Sequence, residues 1–295
     1  MWLRSLPAFA YVSPREIAEV CALLTNQGEN ARVMAGGTDL LMAMKQRTAT
    51  PRCVISLKRL PDLDRISSGD DQGIKLGALV THQTVVDSPL IRERWGALWT
   101  ACAKVGTPTI RNMGTLGGNL CNAAPSADTA PPLIAYRAQV TVRGATGERR
   151  LPLDDFFLAP GSNALTAGEL LVTIDVPRLP PRSGAAYVKL PARSAVDIAA
   201  VGVAASITLD AQGACQGVSI VLGAVAPTPM RAQEAEALLQ GKQVTEALLQ
   251  TAARRAAEEA RPISDVRASA TYRKAMVQVL TREALQKALH QAQSG

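Results

Sequence analysis

The chain has 295 residues, of which 47% are hydrophobic, 19% charged and 3% aromatic, a balance that supports a buried core and excludes a disordered chain. So few aromatic rings argue against single-stranded nucleic-acid binding, which needs stacking platforms. The formal charge of +7 comes from scattered Lys and Arg with no long basic run, which favours an anionic cofactor or an acidic protein partner over nucleic acid.

Ser13-Pro14-Arg15-Glu16 has the composition of a helix start, with Ser13 as N-cap, Pro14 in the first turn and Glu16 answering the positive end of the dipole. Ile17, Val20, Cys21 and Leu24 follow at helical spacing to near Gly28. Residues 31–35 read as a short strand running into a glycine loop, 40–45 as helix and 53–57 as strand. Together they describe a small α/β unit. Further on, 73–78 reads as a strand and 88–105 as a helix. Residues 138–143 alternate like a strand that turns at Gly144 to Gly147, and 170–176 is a β run closed by Pro177.

After the proline-rich Arg178-Leu179-Pro180-Pro181-Arg182 come strands over 185–190, 199–209 and 215–222, with a turn at Asp210 to Gly213. Helical text follows over 232–240, 245–260 and 268–290. The organisation expected is therefore an α/β subdomain over 1–57, a second subdomain over 58–177, and a C-terminal α+β domain over 178–295. That last domain carries a three-stranded antiparallel sheet and a helical layer.

Five cysteines (21, 53, 102, 121 and 215) form no CxxC pair, and there are two histidines, His82 and His290. Zinc or iron–sulfur ligation by this chain alone is not expected, and reduced thiols in the cytoplasm are. The N-terminus lacks the long apolar stretch of a signal peptide. No segment approaches the length and apolarity of a transmembrane helix.

Two glycine-rich segments some eighty residues apart carry the chemistry: Val33-Met34-Ala35-Gly36-Gly37-Thr38-Asp39-Leu40-Leu41 and Asn112-Met113-Gly114-Thr115-Leu116-Gly117-Gly118-Asn119-Leu120. Paired glycines let successive N–H groups converge on an anion, because no Cβ stands in the way. Neither segment ends in the Gly-Lys-Ser/Thr of a P-loop, and Gly-Gly-Thr-Asp-Leu-Leu is not the GxGxxG of a dinucleotide fold. A strand–loop–helix remains, whose amides and Thr38 hydroxyl can hold a phosphate. Taken alone, Gly36-Gly37 also reads as an ordinary turn. The second segment continues into Asn122-Ala123-Ala124-Pro125-Ser126-Ala127-Asp128, a polar stretch with little to fill a core. It either lines a site, with Thr115 and Asn119 as donors and Asp128 as acceptor, or forms an omega-type surface loop.

Ala35-Gly36-Gly37-Thr38-Asp39 and Thr115-Leu116-Gly117-Gly118-Asn119, with Asp128 nine residues further on, resemble the two flavin motifs of the FAD-binding medium subunit of molybdenum hydroxylases. That family includes xanthine dehydrogenase and aerobic carbon monoxide dehydrogenase. Pro160-Gly161, Tyr187-Val188-Lys189-Leu190, Ala226 to Arg231 and Asp265 to Arg273 extend the resemblance over nearly the whole chain. It implies an FAD-binding domain of the vanillyl-alcohol-oxidase-like (PCMH) type, made of two α/β subdomains, followed by a C-terminal domain with a helical bundle. It also implies that Val33, Met34, Ala35, Gly36, Gly37, Thr38, Asp39 and Leu40 wrap the FAD pyrophosphate, with Thr115, Gly118 and Asn119 completing the cradle. Asp128 would hold the ribityl or adenosine side, Lys189 a polar edge of the flavin, and Asp197-Ile198 would approach the ring. Related carbon monoxide dehydrogenases carry Tyr where this chain has Ile198, so the flavin face is expected to be shielded differently here.

The resemblance further implies an oxidoreductase subunit with noncovalent FAD and no catalytic acid–base residue of its own. Its expected partners are a molybdopterin-binding large subunit and a [2Fe-2S] small subunit, assembled as a dimer of heterotrimers, without nucleic acid. The cysteine-bound extra cluster of the 4-hydroxybenzoyl-CoA reductase branch is not expected. Asp265, Arg267 and Arg273 read as a structural ion-pair set. Two other readings remain at this point: a standalone vanillyl-alcohol-oxidase-type enzyme, and a cofactor-free interaction subunit in which the glycines serve only as turns.

Overall fold

A computed structural model describes residues 5–194 and 196–294. The chain opens with β1 (Ala10–Val12), α1 (Ile17–Gln27), β2 (Ala31–Met34), α2 (Leu40–Gln46) and β3 (Cys53–Ser56). The strands form a parallel sheet in the order β1-β3-β2. β1 was not legible in the sequence, and it displaces the expected helix start. The chain leaving β1 turns into helix only at Ile17, behind Glu16, and no side chain caps it.

The second region holds β4 (Ile66–Ser68), β5 (Ile74–Gly77), α3 (His82–Val86), α4 (Pro89–Arg94), α5 (Gly96–Ala103), α6 (Pro108–Met113), α7 (Leu116–Asn122) and α8 (Ala130–Ala135). It continues with β6 (Gln139–Gly144), β7 (Gly147–Pro152), β8 (Phe157–Ala159), β9 (Ser162–Asn163) and β10 (Leu170–Val176). An antiparallel sheet in the order β4-β5-β10-β6-β7 forms its base. The single helix expected over 88–105 is two. Trp95 breaks it at φ −127°, ψ 48°, because its buried indole N–H donates to the Pro177 carbonyl at 3.1 Å. The second glycine segment, expected as a loop, is largely helical: Thr107 and Thr115 cap α6 and α7 by accepting from the Ile110 and Gly118 N–H groups.

The last region holds β11 (Ser183–Pro191), β12 (Ala199–Leu209), β13 (Cys215–Gly223), β14 (Met230–Arg231), α9 (Gln233–Leu239), α10 (Glu246–Glu259) and α11 (Ala270–Ser294). Three long antiparallel strands match the expected sheet, and the two-residue β14 adds a fourth at its edge. β12 is buried almost throughout because both faces of the sheet are covered. Val203, Ala205 and Ile207 face the core shared with α10 and α11. Tyr187 and Ala204 join the core of the second region. Ser206 Oγ donates to the Ala135 carbonyl of α8 at 3.0 Å, so the C-terminal sheet is packed directly onto the middle of the molecule.

Candidate functional site

All fifteen residues singled out in the sequence line one cavity of about 730 Å³. β2 and the α2 loop supply Val33 through Leu40, α7 supplies Thr115, Gly118 and Asn119, and the segment before α8 supplies Asp128. The C-terminal domain contributes Lys189 from β11, and Asp197 and Ile198 from the segment before β12.

The two glycine segments touch. A Cβ on Gly36 would lie 1.7 Å from the Met113 carbonyl oxygen, so only glycine permits this approach. Gly37 stands at φ +76°, which turns the chain from β2 toward α2. Among the described residues, the N–H groups of Gly36, Gly37, Thr38 and Asp39 have no protein acceptor. Consecutive unpaired amides at a strand end form a concavity suited to an anion.

The second segment is built differently. The Leu116 and Gly117 N–H groups donate to the carbonyls of Val80 and Ala78, both at 2.9 Å, and the Gly118 N–H to Thr115 Oγ1 at 3.0 Å. Its amides are spent inside the protein. What it offers the cavity is side chains: the Thr115 hydroxyl proton and the Asn119 amide. Thr129 donates to Asn119 Oδ1 at 2.6 Å, which orients that amide with its NH2 as the free group. Gly117 serves packing, since a Cβ there would sit 2.6 Å from the Ala78 carbonyl oxygen. Gly118 keeps its exposed side open, with only Thr115 Oγ1 and the Ala35 Cβ nearby.

Asp128 and Lys189 are brought together as a buried ion pair at 2.7 Å, with side chains 9% and 2% exposed. Tyr187, not anticipated from the sequence, donates its hydroxyl to the other Asp128 oxygen at 2.7 Å. Lys189 also donates to the Lys104 carbonyl at 2.9 Å. Burial pushes the Asp128 carboxyl upward against the pull of Lys189, and the Tyr187 phenol well up. The pair thus fixes β11 to the loop beneath the cavity first, and its remaining hydrogen-bonding capacity is small. At the other edge, the Ser194 N–H donates to Asp197 Oδ2 at 3.1 Å and holds that carboxyl below its ordinary range. Ile198 is half exposed beside it.

His82, Cys121 and Glu169 also line the cavity wall. His82 is 2% exposed with Nδ1 unpartnered; burial, helped by Arg111, lowers it to about 4, so it is neutral. Burial raises the Cys121 thiol to about 12, which leaves it unreactive. Glu169 is held to about 2 by the Arg149 guanidinium, which it meets at 2.7 Å.

Residues 7–179 match the FAD binding domain in molybdopterin dehydrogenase, and residues 185–288 the CO dehydrogenase flavoprotein C-terminal domain. The chain belongs to this family. The flavin subunit is 34% identical over 286 residues to the 6-hydroxypseudooxynicotine dehydrogenase complex subunit alpha of Paenarthrobacter nicotinovorans, covering 97% of this chain and 96% of that protein. It is 34% identical over 288 residues to the carbon monoxide dehydrogenase medium chain of Afipia carboxidovorans, covering 97% and 99%. Its fold superposes on carbon monoxide dehydrogenase from Hydrogenophaga pseudoflava with a TM-score of 0.93 at 34% identity, covering 97% of this chain and 99% of that one. The chain is thus an FAD-binding oxidoreductase subunit of the molybdenum hydroxylases. No helix among the described residues is long and apolar enough to cross a membrane.

Proposed function

We propose that this chain is the flavin relay of a cytoplasmic heterotrimer, partnered by a molybdopterin-binding large subunit and a [2Fe-2S] small subunit and assembled as a dimer of heterotrimers. The observation that carries the binding mode is the row of N–H groups at residues 36–39, which have no acceptor among the described residues, in a segment lining a cavity large enough for a dinucleotide. In this reading those amides hold the FAD diphosphate, with the Thr38 and Thr115 hydroxyls and the Asn119 amide as further donors. Bound noncovalently, FAD supplies the redox chemistry that links the iron–sulfur clusters of the small partner to an external acceptor.

This chain's own work is to bind, orient and shield. The Asp128–Lys189 pair locks the C-terminal sheet against the cavity, Asp197 and Ile198 border the ring end, and neutral His82 adds no charge behind the second segment. At the ring's edge, Lys189 lends polarity from within its pair with Asp128 and Ile198 sets access. The test is purification of the complex through a tag on this chain. Molybdenum, two further chains and acid-releasable FAD are expected together. A flavin that stays attached after denaturation, or a pure single chain that turns over substrate by itself, would favour a standalone oxidase and defeat the proposal.

A further inference from the structure

The C-terminal ion-pair set lies next to the cavity by a short chain of contacts. Arg273, on α11, has a side chain 3% exposed. One of its terminal nitrogens donates to two carbonyls at once, Ala200 at 3.0 Å and Ala224 at 2.9 Å. The other reaches Asp265 at 2.6 Å. Asp265 is itself held by the Arg267 N–H at 2.8 Å and the Arg267 guanidinium at 2.8 Å, which keep its carboxyl ionised, at about 2.

Both carbonyls matter for what they continue into. Ala200 is two residues beyond Ile198, on the wall of the cavity. Ala224 is a non-glycine residue at φ +64°, a left-handed conformation that disfavours any residue with a Cβ. It is held there from both sides: Arg273 takes its carbonyl, and its N–H donates to the Pro125 carbonyl at 2.8 Å. Pro125 belongs to the loop that carries Asp128. One guanidinium therefore sets the position of the 196–198 wall and of the 124–128 loop relative to each other. A planar fork fixed by a partly exposed carboxylate that two other donors also hold is suited to this, and a lysine is not.

We infer that Arg273 is a positioning residue for the flavin cavity, acting through Ala200 and Ala224 and oriented by Asp265. The inference rests on the binding mode proposed above. Without the fork, one buried and one half-buried carbonyl lose their donor and Ala224 is free to leave the left-handed region. The cavity's ring-end wall and floor then drift apart while both domains remain folded.

The test uses the assembled complex carrying Arg273→Lys, Arg273→Met or Asp265→Asn, with Leu285→Ala as a control that weakens α11 from its buried face. FAD dissociation constant, visible circular dichroism of the flavin and Tm are measured on each. Expected are at least tenfold weaker FAD binding and an altered flavin dichroism in both Arg273 variants, an intermediate change in Asp265→Asn, and neither change in Leu285→Ala at equal or greater loss of Tm. Adding Ala224→Gly to Arg273→Lys should recover most of the affinity, because glycine takes a positive φ without the Cβ penalty. Should Arg273→Met fail to fold, Arg273→Lys and Asp265→Asn decide. Loss of FAD in proportion to Tm across all variants, or no recovery with Ala224→Gly, overturns the inference. A wild-type complex without FAD would instead sink the binding mode itself.

Discussion

The two glycine segments look alike in sequence and do opposite work. At Gly36 and Gly37 the chain is a true loop, and it leaves four amides without an acceptor among the described residues. At Gly117 and Gly118 it is the first turn of a helix whose amides are already spent on Val80, Ala78 and Thr115. The first segment can bind with its backbone; the second can bind only with side chains. A glycine pair thus reports that backbone must come close to something, and the structure decides whether that is a ligand or another part of the chain.

The largest effect should separate packing glycines from open ones. Gly36→Val would drive its side chain into the Met113 carbonyl, where a Cβ already falls at 1.7 Å, and force the two segments apart. We expect loss of folded protein, a destabilisation above about 3 kcal/mol in the class of severe overpacking. Gly118→Val has only the Thr115 hydroxyl, 2.9 Å from its Cβ, as a close neighbour. It should lower Tm modestly yet weaken FAD binding more than tenfold. Comparable Tm losses in both variants would erase the distinction.

His82 tests the second segment through pH. Its backbone N–H donates to the Gly114 carbonyl at 3.0 Å, and its ring packs against Gly114. Burial first, and Arg111 second, lower its pKa from 6.5 to about 4. The folded chain therefore binds fewer protons at this site than the unfolded chain between those values. The stabilisation is complete above pH 6.5 and is lost as pH falls toward 4, a total of about 3 kcal/mol by linkage. Urea unfolding of wild type should show that slope, and His82→Gln should lack most of it. An unchanged slope in the variant would place the acid sensitivity elsewhere.

Much of this was legible in the sequence because it rests on local patterns. The strand over 170–176 coincides with β10, and the turn at Asp210 to Gly213 joins β12 to β13. The fifteen residues singled out in the sequence line one cavity. What stayed hidden depends on distant partners. Nothing near Trp95 in sequence announces that the Pro177 carbonyl will accept from its indole and split a helix. Tyr187 reads as one more strand residue until Asp128, fifty-nine positions earlier, accepts a hydrogen bond from its hydroxyl. β1 is three residues long and exists because β3 offers an edge. The helical state of 116–122 was masked by two glycines, whose low propensity is overridden by the Thr115 cap and by contacts with Ala78 and Val80.

The smallest expected effect bears most directly on the contrast. If the first segment binds through its backbone, removing its one hydroxyl should matter little, because the amides of residues 36–39 remain. Thr38→Ala should weaken FAD binding by less than about threefold, below the 1.4 kcal/mol that a tenfold change requires. The second segment has no such reserve. Asn119→Ala deletes an amide that Thr129 holds in place at 2.6 Å, and a hydrogen bond to a charged phosphate is worth about 1.5–3 kcal/mol. At least a tenfold loss of affinity is therefore expected, measured by titrating FAD into the stripped complex. Thr129→Ala should give a loss between the two, since the amide survives but loses its orientation. If Thr38→Ala costs more than Asn119→Ala, the backbone of the first loop is not what holds the diphosphate, and the roles assigned to the two segments must be exchanged.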